Sequence, residues 1–307
     1  MLCALCREYE RQEISHIIPA FVYKKLRQLS PSGFSRTTLN PNRRVQDGEK
    51  YPLLCPNCED LFSVWEKKFA ENVFHPYYAS QKNTFSFNYD EWFLKFLVSI
   101  SYRSLVNKLE NEGVDDHSKL CVKNMREAKG IWKDFLLNKR KNIGLYRQYF
   151  LILPIQTETE SLFLKYNNGL FNFYLLTATD ANTIFAKDDS EAYLITKLGE
   201  CFVIATLIDS NPSQWKSLVT KSTGGIFKWN TMVQTSPLVI NYIEYAIKDI
   251  IEAQKNLSPV QTEKIRLSVE RYIKDHSIWW STFFSKSFPW SKHIPIFHVF
   301  TPFMCFF

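Results

Sequence analysis

Two pairs of cysteines limit the folds this chain can adopt more than any other feature of its sequence. Cys3 and Cys6 form one C-x-x-C motif, and Cys55 and Cys58 form a second with the same spacing. A gap of two residues lets both sulfurs of a pair bind one tetrahedral metal ion, as in four-thiolate zinc sites. We therefore expect a structural Zn²⁺ held by these four cysteines rather than four separate thiols. Because residues 7–54 lie between the pairs, this loop should carry structure of its own.

The remaining cysteines and the amino terminus indicate a reducing, cytoplasmic setting. Cys121, Cys201 and Cys305 are scattered along the chain and are typical of small apolar core residues. The first residues are polar and contain no apolar segment of the kind found in secretory signals. In a reducing compartment, paired cysteines indicate a metal site rather than disulfide bonds.

Length and composition predict a folded protein with a large core. The chain has 307 residues, of which 45% are hydrophobic and 16% aromatic, and a length of this order favours two domains. The net charge of +7 suits a polyanionic partner, but surplus surface lysines explain it equally well. No apolar run approaches the roughly 18 residues of a membrane helix, so no transmembrane segment is expected. The sequence contains neither a phosphate-binding Gly-Lys-Ser/Thr loop nor a Gly-x-Ser-x-Gly elbow.

The first 80 residues predict a small zinc module with two extended segments and two helices. The first extended segment leads to the S-H-I-I-P sequence at Ser15–Pro19, and a helix should follow to Leu29, with Pro19 in its first turn. A polar loop is predicted over residues 34–50. A short strand at Tyr51–Leu54 then delivers Cys55, and a helical stripe of apolar residues begins after Glu59.

The rest of the chain predicts a second domain of helices and antiparallel strands. We place a polar and aromatic linker at residues 76–89 and expect domains at 1–80 and 85–307, which together make an α+β fold. Apolar periodicity predicts helices over 90–112, 117–140, 236–254 and 259–275. Short β-rich runs predict an antiparallel sheet of four or five strands at Tyr149–Leu153, Phe171–Leu176, Thr183–Ala186, Ala192–Thr196 and Phe202–Leu207.

Two further segments allow more than one interpretation. Lys139–Lys141 should lie in the last turn of the second helix, where basic side chains suit the helix dipole; a contact with nucleic acid is the alternative. The aromatic tail from Trp279 to Phe307 favours core packing over a partner surface or a membrane-surface segment, because polar residues interrupt it.

The first quarter of the chain resembles the HNH, or ββα-metal, endonucleases that carry a four-cysteine zinc site. The resemblance rests on the first knuckle, on S-H-I-I-P at Ser15–Pro19, and on L-L-C-P-N-C at Leu53–Cys58 running into a helix. It implies that His16 activates the attacking water. The chain departs from the family pattern in three ways: Ser15 stands where an acidic residue is usual, Glu59 stands where histidine is frequent, and Tyr51–Leu54 contains no match for the asparagine in the middle of the motif. Asn42 and Asp47 are the nearest polar residues to that asparagine position.

The resemblance and the residue types together assign candidate roles. Hydrolysis of a phosphodiester needs a base and a cation, and His16 suits the base because imidazole titrates near neutral pH. Glu59 and Asp47 offer oxygen ligands for Mg²⁺ or Mn²⁺, and Arg43 and Arg44 suit phosphate groups of the substrate. Each has an alternative. His16 could instead cap a turn or bind zinc. Glu59 could stabilise the start of its helix by interacting with the helix dipole. Arg43 and Arg44 could lie in a solvated loop without a phosphate contact.

The sequence leaves two classes of function open. The first is a metal-dependent endonuclease acting on nucleic acid, with DNA favoured over RNA, which the resemblance associates with bacterial defence against phages. The domain at residues 85–307 would then have one of four roles: sensing an activating signal, recognising a substrate, binding a protein partner or forming a homo-oligomer. The second is a non-catalytic zinc-knuckle module that binds nucleic acid or a partner protein, with catalysis removed by the departures at Ser15 and Glu59.

Overall fold

The computed structural model describes residues 1–80, 85–152, 174–176, 178–215, 219–228 and 236–275. In these residues helices and antiparallel sheets occur together, so the predicted α+β class is confirmed. The aromatic tail from Trp279 to Phe307 lies outside the described residues, as do residues 171–173 of the strand predicted at Phe171–Leu176. Residues 174–176 are helical, so that strand is wrong over its described part.

The amino-terminal region contains two paired strands followed by a helix. The elements are β1 (Glu13–His16), α1 (Ala20–Leu29), β2 (Lys50–Leu54) and α2 (Pro56–Phe69). β1 and β2 pair antiparallel, with Ser15 opposite Tyr51 and His16 opposite Lys50. The buried residues of α2 recur at helical spacing, at Phe62, Trp65 and Phe69. The predicted helix and strand around residues 19–29 and 51–54 are confirmed.

The segment predicted as a linker at 76–89 is largely regular structure. α2 continues through a π-helical turn (Ala70–Phe74) into α3 (His75–Ala79), and β3 (Ser86–Tyr89) pairs with β8 (Gly225–Lys228). The linker prediction is therefore wrong for these residues. The physical reason is the aromatic content: Phe87 is buried and packs against Phe93 and Phe227, with ring centroids 5.2 and 5.0 Å away.

Two long helices follow, as predicted. α4 (Glu91–Asn107) is capped by Asp90, whose side chain accepts a hydrogen bond from the Trp92 N–H. The helix is buried on all sides from Phe93 onward. α5 (Lys119–Leu136) is capped by Ser118 and ends earlier than the predicted residue 140. Asn138 has a φ of 60°, a left-handed conformation that stops the helix. Lys139–Lys141 therefore lie beyond α5, and their predicted place in its last turn is wrong.

A four-stranded antiparallel sheet forms the centre of the second half of the chain. Its strands are β4 (Gln148–Ile152), β5 (Thr179–Phe185), β6 (Glu191–Leu198) and β7 (Cys201–Asp209), in the order β4-β7-β6-β5. The predicted antiparallel sheet is confirmed. β4 is buried along its whole length, and β6 and β7 along most of theirs, so apolar packing covers both faces of these strands.

Two helices complete the described chain, α6 (Pro237–Lys255) and α7 (Pro259–Asp275), both as predicted. The chain divides into two compact units. Unit 1 comprises Met1–Pro19, Glu49–Ile152 and Thr179–Ile240; unit 2 comprises Ala20–Gly48, Leu153–Ala178 and Asn241–Phe307. Each unit thus draws on distant parts of the sequence.

Within unit 2, the polar loop predicted at 34–50 is packed on the turn between α6 and α7. The buried Arg36 donates hydrogen bonds to the Pro41 carbonyl at 2.6 Å and to Gln261 Oε1 at 2.8 Å. Asn42 Nδ2 donates to the Asn256 carbonyl at 2.9 Å. These bonds give the loop a defined position.

Within unit 1, residues on both sides of the predicted boundary at 80–85 share one core. The rings of Phe69 on α2 and Phe96 on α4 stack with their centroids 4.0 Å apart. The buried Tyr102 hydroxyl donates to the Ala4 carbonyl at 2.6 Å. The boundary between 1–80 and 85–307 therefore falls inside a compact unit, and separate folding of these regions stays a prediction.

Candidate metal centre and candidate active site

The first cysteine pair lies on a tight turn that aims both sulfurs to one side. The Cys3 N–H donates to the Tyr9 carbonyl at 2.7 Å, and the Arg7 N–H donates to the Cys3 carbonyl at 3.2 Å. Arg7 has a φ of 64°, which reverses the chain directly after Cys6. The Glu8 N–H then reaches Cys6 Sγ at 3.5 Å, so the backbone of the turn contacts a candidate ligand atom.

The second pair lies at the junction of β2 and α2. Cys55 occupies the cap position of α2, and Pro56 follows at the first helical position, where its missing N–H costs nothing. The N–H groups of Cys58 and Glu59 both donate to the Cys55 carbonyl at 3.0 Å. The Ala4 N–H donates to the Leu53 carbonyl at 2.9 Å, which ties the first turn to β2.

The four sulfurs of Cys3, Cys6, Cys55 and Cys58 lie within 4.8 Å of one another. Cys6 Sγ and Cys55 Sγ are 3.7 Å apart. Zn–S bonds of about 2.3 Å in a tetrahedron place sulfurs about 3.8 Å apart, whereas a disulfide bond needs about 2.0 Å. The four cysteines could therefore hold a metal ion such as zinc.

Hydrogen bonds among these thiols and their burial shift the pKa values of three of them in different directions. A hydrogen bond from Cys58 lowers the pKa of Cys3 to about 4. The same hydrogen bond raises the pKa of Cys58, while burial raises the pKa of Cys55. A bound metal ion would supply the positive charge that four thiolates require.

The end of β1 and the first turn of α2 contribute a second group of polar side chains. Ser15 is 1% exposed and donates a hydrogen bond from its hydroxyl to Glu59 Oε1. His16 is the next residue; it is half-buried and closes β1 opposite Lys50. Glu59 directly follows the candidate zinc ligand Cys58. The structure thus joins the two positions that depart from the HNH pattern.

The other candidate residues of the loop belong to unit 2. Asp47 forms an ion pair with Arg27 of α1, whose guanidinium nitrogen lies 3.2 Å from Asp47 Oδ1. Arg43 and Arg44 are exposed, and the Arg44 guanidinium lies over the Phe34 ring at 4.9 Å. His16 and Glu59 belong to unit 1. The catalytic role of Asp47 and the phosphate contacts of both arginines stay predictions.

Glu66, which follows Glu59 by two helical turns, has a structural partner. Its Oε1 accepts a hydrogen bond from Arg103 on α4, and the Arg103 side chain is 2% exposed. The Arg103 guanidinium also lies over the Phe62 ring at 5.6 Å. Glu66 therefore serves to balance a buried charge between α2 and α4.

A hard divalent cation at Glu59 would find few ligands from the protein. Among the described residues, the four cysteines are the only cluster of three or more cysteine, histidine or acidic side chains that could hold a metal. This is compatible with Mg²⁺, which often keeps several waters and binds through one or two carboxylates and substrate phosphates. Glu59 supplies one such carboxylate.

Comparison of this chain with family models, with curated proteins and with solved structures finds no match. In the described part of the chain, no helix has the length and apolar character needed to cross a membrane.

Proposed function

We propose that this chain is a metal-dependent endonuclease of the HNH type, with β1, β2 and α2 as its catalytic module. The observation that carries the proposal is the contact between Ser15 and Glu59. It brings a carboxylate of α2 to the end of the strand that bears His16, next to a four-cysteine cluster in a ββα frame. The resemblance to HNH nucleases implies a ββα frame with a histidine at the strand end, and Ser15 and Glu59 are the positions at which this chain departs from its pattern.

In the proposed reaction His16 accepts a proton from the water that attacks the phosphodiester. An ordinary imidazole has a pKa of about 6.5, so a neutral ring is available near neutral pH. Glu59 would hold Mg²⁺ or Mn²⁺, which supplies charge neutralisation at the phosphate. The role of His16 is supported by its fixed backbone, since β1 pairs with β2 through Ser15 and His16, and the Ile17 N–H donates to the Glu49 carbonyl at 3.2 Å.

Arg43 and Arg44 are proposed to contact phosphates of the nucleic acid, with DNA favoured over RNA. Both side chains are exposed, and the guanidinium group suits bidentate contacts with phosphate oxygens. The roles of residues 85–307 in sensing, partner binding or self-association, and a place in phage defence, follow from the resemblance and stay predictions.

The second candidate is a zinc module that binds nucleic acid or a protein without cleaving. The hydrogen bond from Ser15 to Glu59 and the ion pair of Asp47 with Arg27 favour it, since both carboxylates already have partners. In that case Ser15 and Glu59 would serve only to attach β1 to α2.

Replacing His16 with alanine separates the two candidates. Loss of a positioned general base costs about 10² to 10⁴ in rate, so His16→Ala should reduce cleavage of plasmid DNA or RNA by that factor. The assay uses Mg²⁺, Mn²⁺ and a chelator with the full chain. His75→Ala is the matched control, because His75 is an exposed histidine on α3.

Zinc content and melting temperature are measured for both variants, so that loss of folding is not mistaken for loss of catalysis. A folded His16→Ala protein that cleaves like the wild type would contradict the nuclease proposal. If neither protein cleaves but both bind nucleic acid with a steep dependence on salt, the binding module replaces it.

A further inference from the structure

The cysteines of the four-sulfur cluster differ in their access to solvent. Cys6 is half-buried, and the exposed residues 7–10 follow it directly. The other five cysteines in the described part of the chain are at most 5% exposed: Cys3, Cys55, Cys58, Cys121 and Cys201. Among the described cysteines, a small solute in water therefore has its most direct access to Cys6.

A second cysteine lies beside the accessible one. Cys55 Sγ is 3.7 Å from Cys6 Sγ and belongs to the other C-x-x-C pair. A disulfide bond needs about 2.0 Å, so the two sulfurs would have to approach by roughly 1.7 Å. The hydrogen bond from the Ala4 N–H to the Leu53 carbonyl, at 2.9 Å, already holds the two segments side by side. Because residues 7–10 are exposed, the turn at Cys6 can shift with little loss of packing.

Cysteines that respond to oxidants share three properties: thiolate character, exposure and a second cysteine close by. A cysteine binds zinc as a thiolate, so a metal held by the cluster would give Cys6 the first property. The Glu8 N–H lies 3.5 Å from Cys6 Sγ, where it favours negative charge on the sulfur. The half-buried position of Cys6 and the closeness of Cys55 provide the other two.

We propose that hydrogen peroxide oxidises Cys6 and that Cys55 converts the product into a disulfide bond between the two cysteine pairs. This modification site goes beyond the proposed function and does not depend on cleavage of nucleic acid. It is carried by the combination of one accessible sulfur with a second sulfur 3.7 Å away in a cluster that is otherwise buried.

The reaction has two steps. The Cys6 thiolate attacks one oxygen of the peroxide, so that an S–O bond forms, the O–O bond breaks and the other oxygen leaves as hydroxide, which takes up a proton. The Cys55 thiolate then attacks the Cys6 sulfur, so that an S–S bond forms, the S–O bond breaks and a second hydroxide becomes water. Together the two cysteines lose two electrons, and one peroxide is reduced to two waters.

The disulfide has a consequence for the metal. It removes two of the four ligands, and Cys3 and Cys58 alone cannot complete a tetrahedron, so the zinc is released. The new bond also ties the turn at Cys6 to the start of α2, which keeps the four sulfurs near one another. Reduction with dithiothreitol in the presence of zinc should therefore restore the site, and the cluster acts as a reversible sensor of oxidant.

Treatment of the zinc-loaded full chain with hydrogen peroxide, followed by a tryptic peptide map, tests the proposal. Trypsin leaves Cys3 and Cys6 in residues 1–7, and Cys55 and Cys58 in residues 51–67. We expect these two peptides to be joined, with fragmentation of the pair in the mass spectrometer placing the bond between Cys6 and Cys55. A disulfide bond within either peptide, or between Cys6 and another cysteine, would overturn the proposal.

Cys6→His is the variant that isolates the reactive sulfur. It removes the thiol but keeps a zinc ligand, since sites with three cysteines and one histidine are common. Peroxide that releases the zinc of the wild type, measured with a chromophoric chelator, should leave the zinc of Cys6→His bound. The matched control is Cys121→Ala, which removes a buried cysteine of α5 and should release zinc as the wild type does. Melting temperature and zinc content are recorded for every protein before oxidation.

Each outcome decides the proposal without reference to nuclease activity. Zinc release from folded Cys6→His at the rate of the wild type would overturn it, as would wild-type protein that keeps its zinc and its free thiols in peroxide. If Cys6→His does not bind zinc, the peptide map of the wild type decides by itself. Cleavage of nucleic acid enters none of these measurements, so their failure would leave the nuclease proposal unchanged.

Discussion

The cysteine module and the four-stranded sheet are stabilised in different ways, although both belong to unit 1. In the module, formed by β1, β2 and α2 with the turn at Cys3–Cys6, four sulfurs lie within 4.8 Å of one another beside the buried Phe62, Trp65 and Phe69 of α2. In the sheet, β4, β6 and β7 are buried almost throughout. The module thus combines a cluster of four candidate metal ligands with apolar packing, whereas the described strands of the sheet have apolar packing without such a cluster.

The difference predicts how each region responds to change. A metal site fails when one ligand or the ion is lost, since the remaining ligands cannot complete the tetrahedron. A packed sheet loses stability in proportion to the volume removed, and replacement by a similar apolar group is tolerated. The two regions meet where Phe69 of α2 stacks on Phe96 of α4.

The largest expected effect is the loss of the structural metal. Cys58→Ser should abolish the binding of about one zinc per chain and unfold the module. Structural zinc contributes on the order of 10–16 kcal/mol of apparent binding free energy in zinc-finger peptides. Cys201→Ser, at a fully buried position of β7, should retain zinc and lose about 1–3 kcal/mol. Elemental analysis and thermal melting with and without a chelator measure both.

If wild-type protein purified without a chelator contains no zinc, the prediction that the four cysteines hold a structural zinc is wrong. Equal loss of melting temperature in both variants would show instead that the cysteines of the module act as ordinary core residues.

The second effect concerns the contact between the two regions. Phe96 is fully buried, so Phe96→Ala should cost about 3–5 kcal/mol in the free energy of unfolding. The stacking of Phe69 on Phe96 predicts that both regions unfold in one transition, whereas separate domains at 1–80 and 85–307 predict two. Urea unfolding followed by tryptophan fluorescence and by zinc release measures this. Leu120→Ala, at an exposed position of α5, is the control and should change stability by less than about 0.5 kcal/mol.

Zinc release at a lower urea concentration than the loss of sheet structure would favour the division into 1–80 and 85–307 over a shared core. Coincident transitions that shift together in Phe96→Ala would support the shared core.

The smallest effect is a dependence on pH at the edge of the module. Burial alone would raise the pKa of Glu110, but hydrogen bonds from Lys129 and Arg11, both at 2.7 Å, lower it below its usual value of 4.5. The resulting stability is present above pH 4.5 and is lost as pH falls through the lowered pKa. Glu110→Gln should therefore cost about 1 kcal/mol near neutral pH and progressively less in acid. Unfolding free energies of both proteins across this range check it, since zinc loss in acid affects them equally. A constant difference would contradict the assignment.

Several elements could be predicted from local sequence because their causes are local. The spacing of apolar residues located α4 and α5, and the start of α7 was visible in Ser258 and Pro259, where Ser258 Oγ accepts from the Gln261 N–H at 3.3 Å. The prediction of a linker at 76–89 is wrong because aromatic residues among polar ones do not indicate a strand unless the partner strand is known. That partner, β8, lies far along the chain.

The candidate site also contains features that the local sequence predicts and contacts that it does not. The cysteine pairs and the S-H-I-I-P sequence were visible, because metal ligation and the strand end depend on short spacings. The contact between Ser15 and Glu59 could not be predicted, because 43 residues separate them in the chain and nothing local connects them. The ion pair of Asp47 with Arg27 could not be predicted from local sequence either, because the two residues are distant in the chain.

The sequence by itself determined the chemistry that the chain has available: four thiols in two pairs, an imidazole at a strand end, and the periodicities of its helices and strands. Only the tertiary structure decided which side chains meet. The contacts of Ser15 with Glu59 and of Arg36 with Gln261 join residues that are distant in the chain. A hydrogen bond of this kind contributes about 1 kcal/mol, which is too little to bring two segments together. Packing of the whole chain fixes such pairs, so no short stretch of sequence contains the information to predict them.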